Sequence, residues 1–169
     1  MFPPTCLSTF SKVLSPGLRV GWIVADEPVI NALCLAKQAM DLHTSTLCQW
    51  IAYEVIREGF LRRHIPGLCR EYGARKACML SALDQMMPEV VQWTRPAGGM
   101  FVFVTLPERF DASELLKRCL ARNVAFVPGN EFHLDGKGMN TMRLNFTNAP
   151  TSTIREGIAI MAQEMAGMI

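Results

Sequence analysis

The chain reads as a mixed α/β protein whose tail is a small α+β layer. Three observations predict this. Residues 18–25, rich in Val and Ile, form an apolar strand-like run followed by consecutive helical periods. After Pro88, β-prone stretches alternate with amphipathic ones. A length of 169 residues, 50% hydrophobic, suits one domain, or one and a half, with a buried core.

The elements follow in order. Pro3, Pro4, Pro16 and Gly17 make residues 1–17 loop-like. The strand over 18–25 is expected to be buried. Asp26 then caps a helix to about Met40, with Pro28 in its first turn. A second helix starts near Ser45 and stops before Gly59, and a third runs from about Pro66 to Met87. Strands are expected near 90–94, 100–106, 124–127 and 142–146. Asp111 caps a helix ending at Asn123, with Glu114 in capping-box position. Thr151 or Ser152 caps a last amphipathic helix to about Met165. A lone strand at 18–25 cannot satisfy its own ladder bonds, so residues 1–25 read as the end of a larger sheet.

Composition narrows the function classes. Charged residues are 19% and the net charge is +2, which excludes disorder and gives no electrostatic reason for a nucleic acid or anionic membrane partner. The apolar runs are too short to span a bilayer, and the start lacks the pattern of a secretory signal. A cytoplasmic protein is expected. Its six cysteines have no C-x-x-C spacing and its three histidines are scattered, so they read as reduced packing residues, with no metal site.

Chemistry concentrates in Thr9-Phe10-Ser11-Lys12 and the following Pro16-Gly17-Leu18-Arg19. Two hydroxyls and a guanidinium brought back by a Pro-Gly turn make a phosphate clamp. A lysine beside them can condense with a phosphate-bearing aldehyde. By residue types alone, a solvated Ser/Lys loop with a surface arginine is the better account of the stretch.

The ordered pattern is more specific. Ser8 to Trp22, with S/T-x-S-K followed by P-G-x-R-x-G, resembles the lysine segment of fold-type I, pyridoxal-phosphate-dependent class I/II aminotransferases. The resemblance is to the 2-aminoadipate/kynurenine type and to the aminotransferase domains of MocR-like regulators. Pro96-Ala97-Gly98-Gly99-Met100-Phe101 resembles the family's P-x-G-G-x-F turn, Pro128-Gly129-Asn130-Glu131-Phe132 its P-G-x-x-F turn, and Met142 to Phe146 its R-L-x-F strand.

The resemblance implies an α/β fold: the C-terminal portion of the pyridoxal-phosphate-dependent transferase (aspartate aminotransferase-like) fold. Residues 1–59 would be a remnant of the large cofactor-binding domain and 60–169 the small α+β domain. It implies that Lys12 carries pyridoxal 5'-phosphate and moves the proton, that Thr9, Ser11 and Arg19 hold its phosphate, and that Arg143 and Gly99 meet the substrate. Read without the family, Arg143 is an edge-strand salt bridge. The implied activity is transamination between an amino acid and a 2-oxo acid, in a homodimer. The alternative is the effector-sensing domain of a MocR/GntR-type regulator. The family's contacts to the cofactor ring lie upstream of the lysine, and only eleven residues precede Lys12. The chain alone is therefore expected to be inactive.

Overall fold

The computed structural model describes residues 5–168. The chain divides into two compact units, Met1–Leu68 and Cys69–Ile169.

In the first unit, β1 (Cys6–Thr9) pairs antiparallel with β2 (Gly21–Val24), Cys6 opposite Val24 and Thr9 opposite Gly21. This corrects the loop-like expectation for residues 5–17; the part of it on residues 1–4 lies outside the described residues. The expected strand over 18–25 is shorter, because Pro16–Leu18 form a 3-10 turn and Arg19 leaves it in the left-handed region, φ 53°. Nor is the strand buried: every residue of both strands is exposed.

Three helices follow. In α1 (Glu27–Met40), Asp26 occupies the cap position but its carboxylate makes no capping bond. In α2 (Thr46–Arg57), the Ser45 hydroxyl accepts from the Cys48 N–H at 3.5 Å. The third helix, α3 (Phe60–Met86), begins six residues before the expected start at Pro66. That proline removes one backbone bond, and the helix continues through it.

The second unit holds a four-stranded antiparallel sheet. Its strands are β3 (Gln92–Trp93), β4 (Phe101–Thr105), β5 (Val127–Pro128) and β6 (Thr141–Asn145), in the order β3-β4-β6-β5. The helices are α4 (Ala112–Leu120) and α5 (Thr151–Ala166).

Several ends differ from expectation for local reasons. Helix α4 stops at Leu120, and Asn123 turns left-handed (φ 61°), a conformation asparagine tolerates. The Val124 N–H then donates to the Cys119 carbonyl, so 124–126 do not join the sheet and β5 starts only at Val127. Asp111 does cap α4, accepting from the Ser113 N–H at 2.7 Å, worth about 1 kcal/mol. Glu114 pairs with Lys117 instead of closing a capping box. Pro150, not Thr151 or Ser152, holds the cap position of α5.

Strand alternation sorts the sheet into two faces. Val102 and Val104 of β4, with Met142 and Leu144 of β6, are buried. They meet Met79 and Leu83 of α3, Leu115 and Cys119 of α4, and Ile154, Ile158, Met161 and Met165 of α5. The α5 spacing of 4, 3 and 4 is one helical stripe. The opposite sheet face carries Phe101, Phe103, Arg143 and Asn145.

The cysteines are mixed. All six are free; Cys119 is buried in the core and half-buried Cys78 packs against it, whereas Cys6, Cys34 and Cys69 are exposed, so the packing role holds for only part of the set. Burial, and secondarily the charge of Glu164, pushes the Cys119 thiol pKa up, which keeps it a neutral packing group. Among the described residues, no helix is long and apolar enough to cross a membrane, and no group of three metal-binding side chains occurs.

Candidate functional site

The first unit gathers the hydroxyls. The Phe10 N–H donates to the Val20 carbonyl at 3.1 Å, and the Leu14 and Ser15 N–H groups both donate to the Phe10 carbonyl. Residues 10–14 therefore close into a turn at the end of the β1–β2 pair, with Lys12 exposed in its middle. The Phe10 ring rests against Trp22 of β2, centroids 4.6 Å apart. This packing turns Phe10 toward β2, where the Thr9 hydroxyl also reaches the Val20 carbonyl at 3.1 Å.

Thr9 Oγ1 donates to Ser11 Oγ at 2.9 Å, and the Ser11 N–H donates back to Thr9 Oγ1 at 3.1 Å. Two hydroxyls thus stand together directly before the lysine amine. Arg19 is exposed, and its guanidinium donates to the Pro16 carbonyl at 3.2 Å. That bond uses one of five donors and leaves the others for a ligand. The left-handed backbone of Arg19 costs on the order of 1 kcal/mol. So the structure brings Thr9 and Ser11 together, while Arg19 is held by its own turn.

The second unit contains Arg143 and Gly99. Arg143 lies on β6, between β4 and β5, which is an interior strand. Its register partners are Phe103 on one side and Val127 on the other. It forms no ion pair among the described residues, so the edge-strand salt bridge does not occur. Its guanidinium lies 4.1 Å from the Phe101 ring centroid and 4.5 Å from that of Phe132. Its Nε is buried and has no hydrogen-bond partner. A buried donor left unsatisfied costs about 1–3 kcal/mol, and an acceptor with a negative charge relieves that cost best.

Arg143 and Phe101 line a cavity of about 450 Å³, with Val127, Asn145 and Asn148 among the other walls. Gly99 sits in the turn before β4 with φ 85°, a conformation that favours glycine, and has open space where a side chain would project. The turn is anchored from α3, where Lys76 Nζ donates to the Pro96 carbonyl at 3.0 Å and Asp84 pairs with Arg95.

Sequence reasoning did not single out Phe101 and Phe132 as partners of Arg143. The signal was present, since each ends one of the two glycine-containing turns. Asn130 was missed as well; its Oδ1 is buried without a partner, in the same 3-10 turn (Gly129–Phe132) that supplies Phe132.

Comparison with known proteins is consistent along nearly the whole chain. The family model "Aminotransferase class I and II" matches residues 3–160. Aromatic-amino-acid aminotransferase 1 of Thermococcus litoralis is 48% identical over 93% of this chain and 38% of its own length. The crystal structure of LysN, an α-aminoadipate aminotransferase of Thermus thermophilus complexed with N-(5'-phosphopyridoxyl)-L-leucine, superposes with a TM-score of 0.92. It is 42% identical, over 97% of this chain and 42% of that one. An uncharacterized HTH-type transcriptional regulator of Bacillus subtilis, YisV, is 32% identical over 93% of this chain and 32% of its own length. The chain thus spans about two-fifths or less of each of these proteins. With the family model covering most of its residues, the chain belongs to the class I and II aminotransferases.

Proposed function

We propose that this chain is the lysine- and carboxylate-binding portion of a pyridoxal-phosphate-dependent aminotransferase, which moves an amino group between an amino acid and a 2-oxo acid. The observation that carries this reading is the hydroxyl pair of exposed Thr9 and half-buried Ser11, 2.9 Å apart, directly before Lys12. The donor set fits a phosphorylated aldehyde: hydroxyls and the spare donors of Arg19 for the phosphate, a primary amine for the aldehyde. When bound, pyridoxal phosphate supplies the carbonyl that takes up the amino group and a ring that withdraws electrons.

The residues of this chain do the rest. Thr9, Ser11 and Arg19 bind the phosphate. Lys12 holds the cofactor and, once free, removes the proton at the substrate α-carbon. Arg143 accepts the substrate carboxylate on its unpartnered edge, and Gly99 keeps the neighbouring turn open. Residues 1–59 are read as a remnant of the large cofactor-binding domain and 60–169 as the small domain. The activity belongs to a protein that also supplies the family's contacts to the ring, in the cytoplasm. The test is a titration of the chain with pyridoxal phosphate followed by visible absorbance. A lysine-linked band is expected for the wild type and none for Lys12→Ala. An equal band in both proteins would remove Lys12 from its role.

Homodimer formation is part of the same reading. Leu7, Trp22, Ile23 and Val24 on the two strands, and Trp50 and Ile51 on α2, are exposed apolar groups within the first unit. Such surface favours association. Light scattering after size exclusion at micromolar concentration should give a dimer or larger; a sharp monomer peak contradicts this. The similarity to YisV supports a second reading, an effector-sensing domain of a transcription regulator. A DNA-binding segment upstream in the same reading frame would favour it.

A further inference from the structure

We propose that Phe101 and Phe132 are positioning residues: their rings clamp the Arg143 guanidinium so that only its edge is offered to a carboxylate. This rests on the reading of Arg143 as the substrate-carboxylate grip. The guanidinium carbon lies 4.1 Å from one ring centroid and 4.5 Å from the other. Both distances are inside the range in which an aromatic face attracts a cation. The two rings come from different elements, one from the first residue of β4 and one from the 3-10 turn after β5.

Phe132 is itself braced by the third phenylalanine of this face. Its ring meets that of Phe103 edge to face at 5.7 Å, and Phe103 is the cross-strand partner of Arg143. The turn carrying Phe132 is seated by contact without a gap: a β-carbon on Gly129 would overlap the Thr141 side chain of β6. The ring is thereby tied to the strand that bears the arginine.

The physical consequence is selective. Aromatic faces attract the cation but accept no conventional hydrogen bond from its in-plane N–H groups. The clamp therefore fixes the plane of the guanidinium and spends none of its forked donors. The buried, unpartnered Nε is what such an arrangement leaves over. A carboxylate approaching in that plane meets two parallel donors that have little rotamer freedom left to lose. Asp or Glu partners would hold the side chain as firmly but would neutralise it.

The experiment follows the Arg143 Nε–Hε resonance of the isotope-labelled chain by NMR while pyruvate is added. In the wild type this resonance should be displaced by the neighbouring rings and should move saturably with pyruvate. In Phe101→Leu and in Phe132→Leu the ring displacement should shrink and pyruvate affinity should fall by about 3- to 30-fold each. Phe101→Tyr and Phe132→Tyr, which keep the aromatic face, should restore both. Where a leucine variant unfolds, the methionine variant of the same position takes its place. Leucine variants that bind pyruvate as tightly as the wild type overturn the clamp and leave the carboxylate reading standing. A wild type whose Arg143 resonance ignores pyruvate overturns that reading, and the clamp with it.

Discussion

Arg143→Ala is expected to lower kcat/KM for every α-amino acid substrate when the chain is co-expressed with the N-terminal portion of its Thermococcus litoralis relative. Truncating one partner of a buried, charge-assisted contact costs about 2–5 kcal/mol, because the other charge stays buried without a counterpart. That is roughly 30- to several-thousand-fold in the specificity constant, at about 1.4 kcal/mol per tenfold. The loss is general because every such substrate carries the same carboxylate. The buried Nε without a partner is the structural warrant: it is a donor already desolvated before any ligand arrives. Cofactor absorbance should be unchanged, since the hydroxyl pair and Lys12 belong to the other unit. Steady-state kinetics on several amino acids checks this, and unchanged values would leave Arg143 a structural residue.

Phe146→Ala should be the most damaging single change to the second unit. Phe146 is 1% exposed and is the largest of the fully buried side chains. It follows β6 directly, and its N–H donates to the Met100 carbonyl, tying the end of β6 to the start of β4. Removing a buried phenylalanine costs about 3–5 kcal/mol, from lost transfer free energy and the cavity left behind. Against a total stability of about 5–15 kcal/mol, that is a large fraction. Urea denaturation should show the midpoint falling with little change in slope. A shift under about 1 kcal/mol would mean that the core closes over the gap.

Much of this fold was legible because its signals are local. The α5 stripe, the Asp111 cap and the alternation of β4 and β6 all lie within one element each. What was not legible depended on partners distant in sequence. Cys6–Thr9 has little strand character of its own and lies just after two prolines; it is a strand because Gly21–Val24 pairs with it. The start of α3 was misplaced because a proline reads locally as a beginning, whereas the rest of a 27-residue helix carries it through. At the candidate site, the ordered Thr9–Arg19 pattern stood out only through its resemblance to a known family. The environment of Arg143 was not, since its two aromatic neighbours lie 42 and 11 residues away and meet it only across the sheet.

The alternation of β6 couples fidelity of folding to the placement of Arg143. Met142 and Leu144 point to the core and Arg143 points away, all from one five-residue strand with a period of two. A slip of one residue against β4 would exchange the two sets, placing a cation in the interior and two apolar groups outside. Such a frame error could not persist quietly as a folded but idle protein, because burying the arginine unpaired would undo the unit itself. The hydrophobic pattern therefore proofreads the arginine's aim: single-residue insertions in the loop before Thr141 are tolerated only if that loop absorbs them, leaving the strand in step.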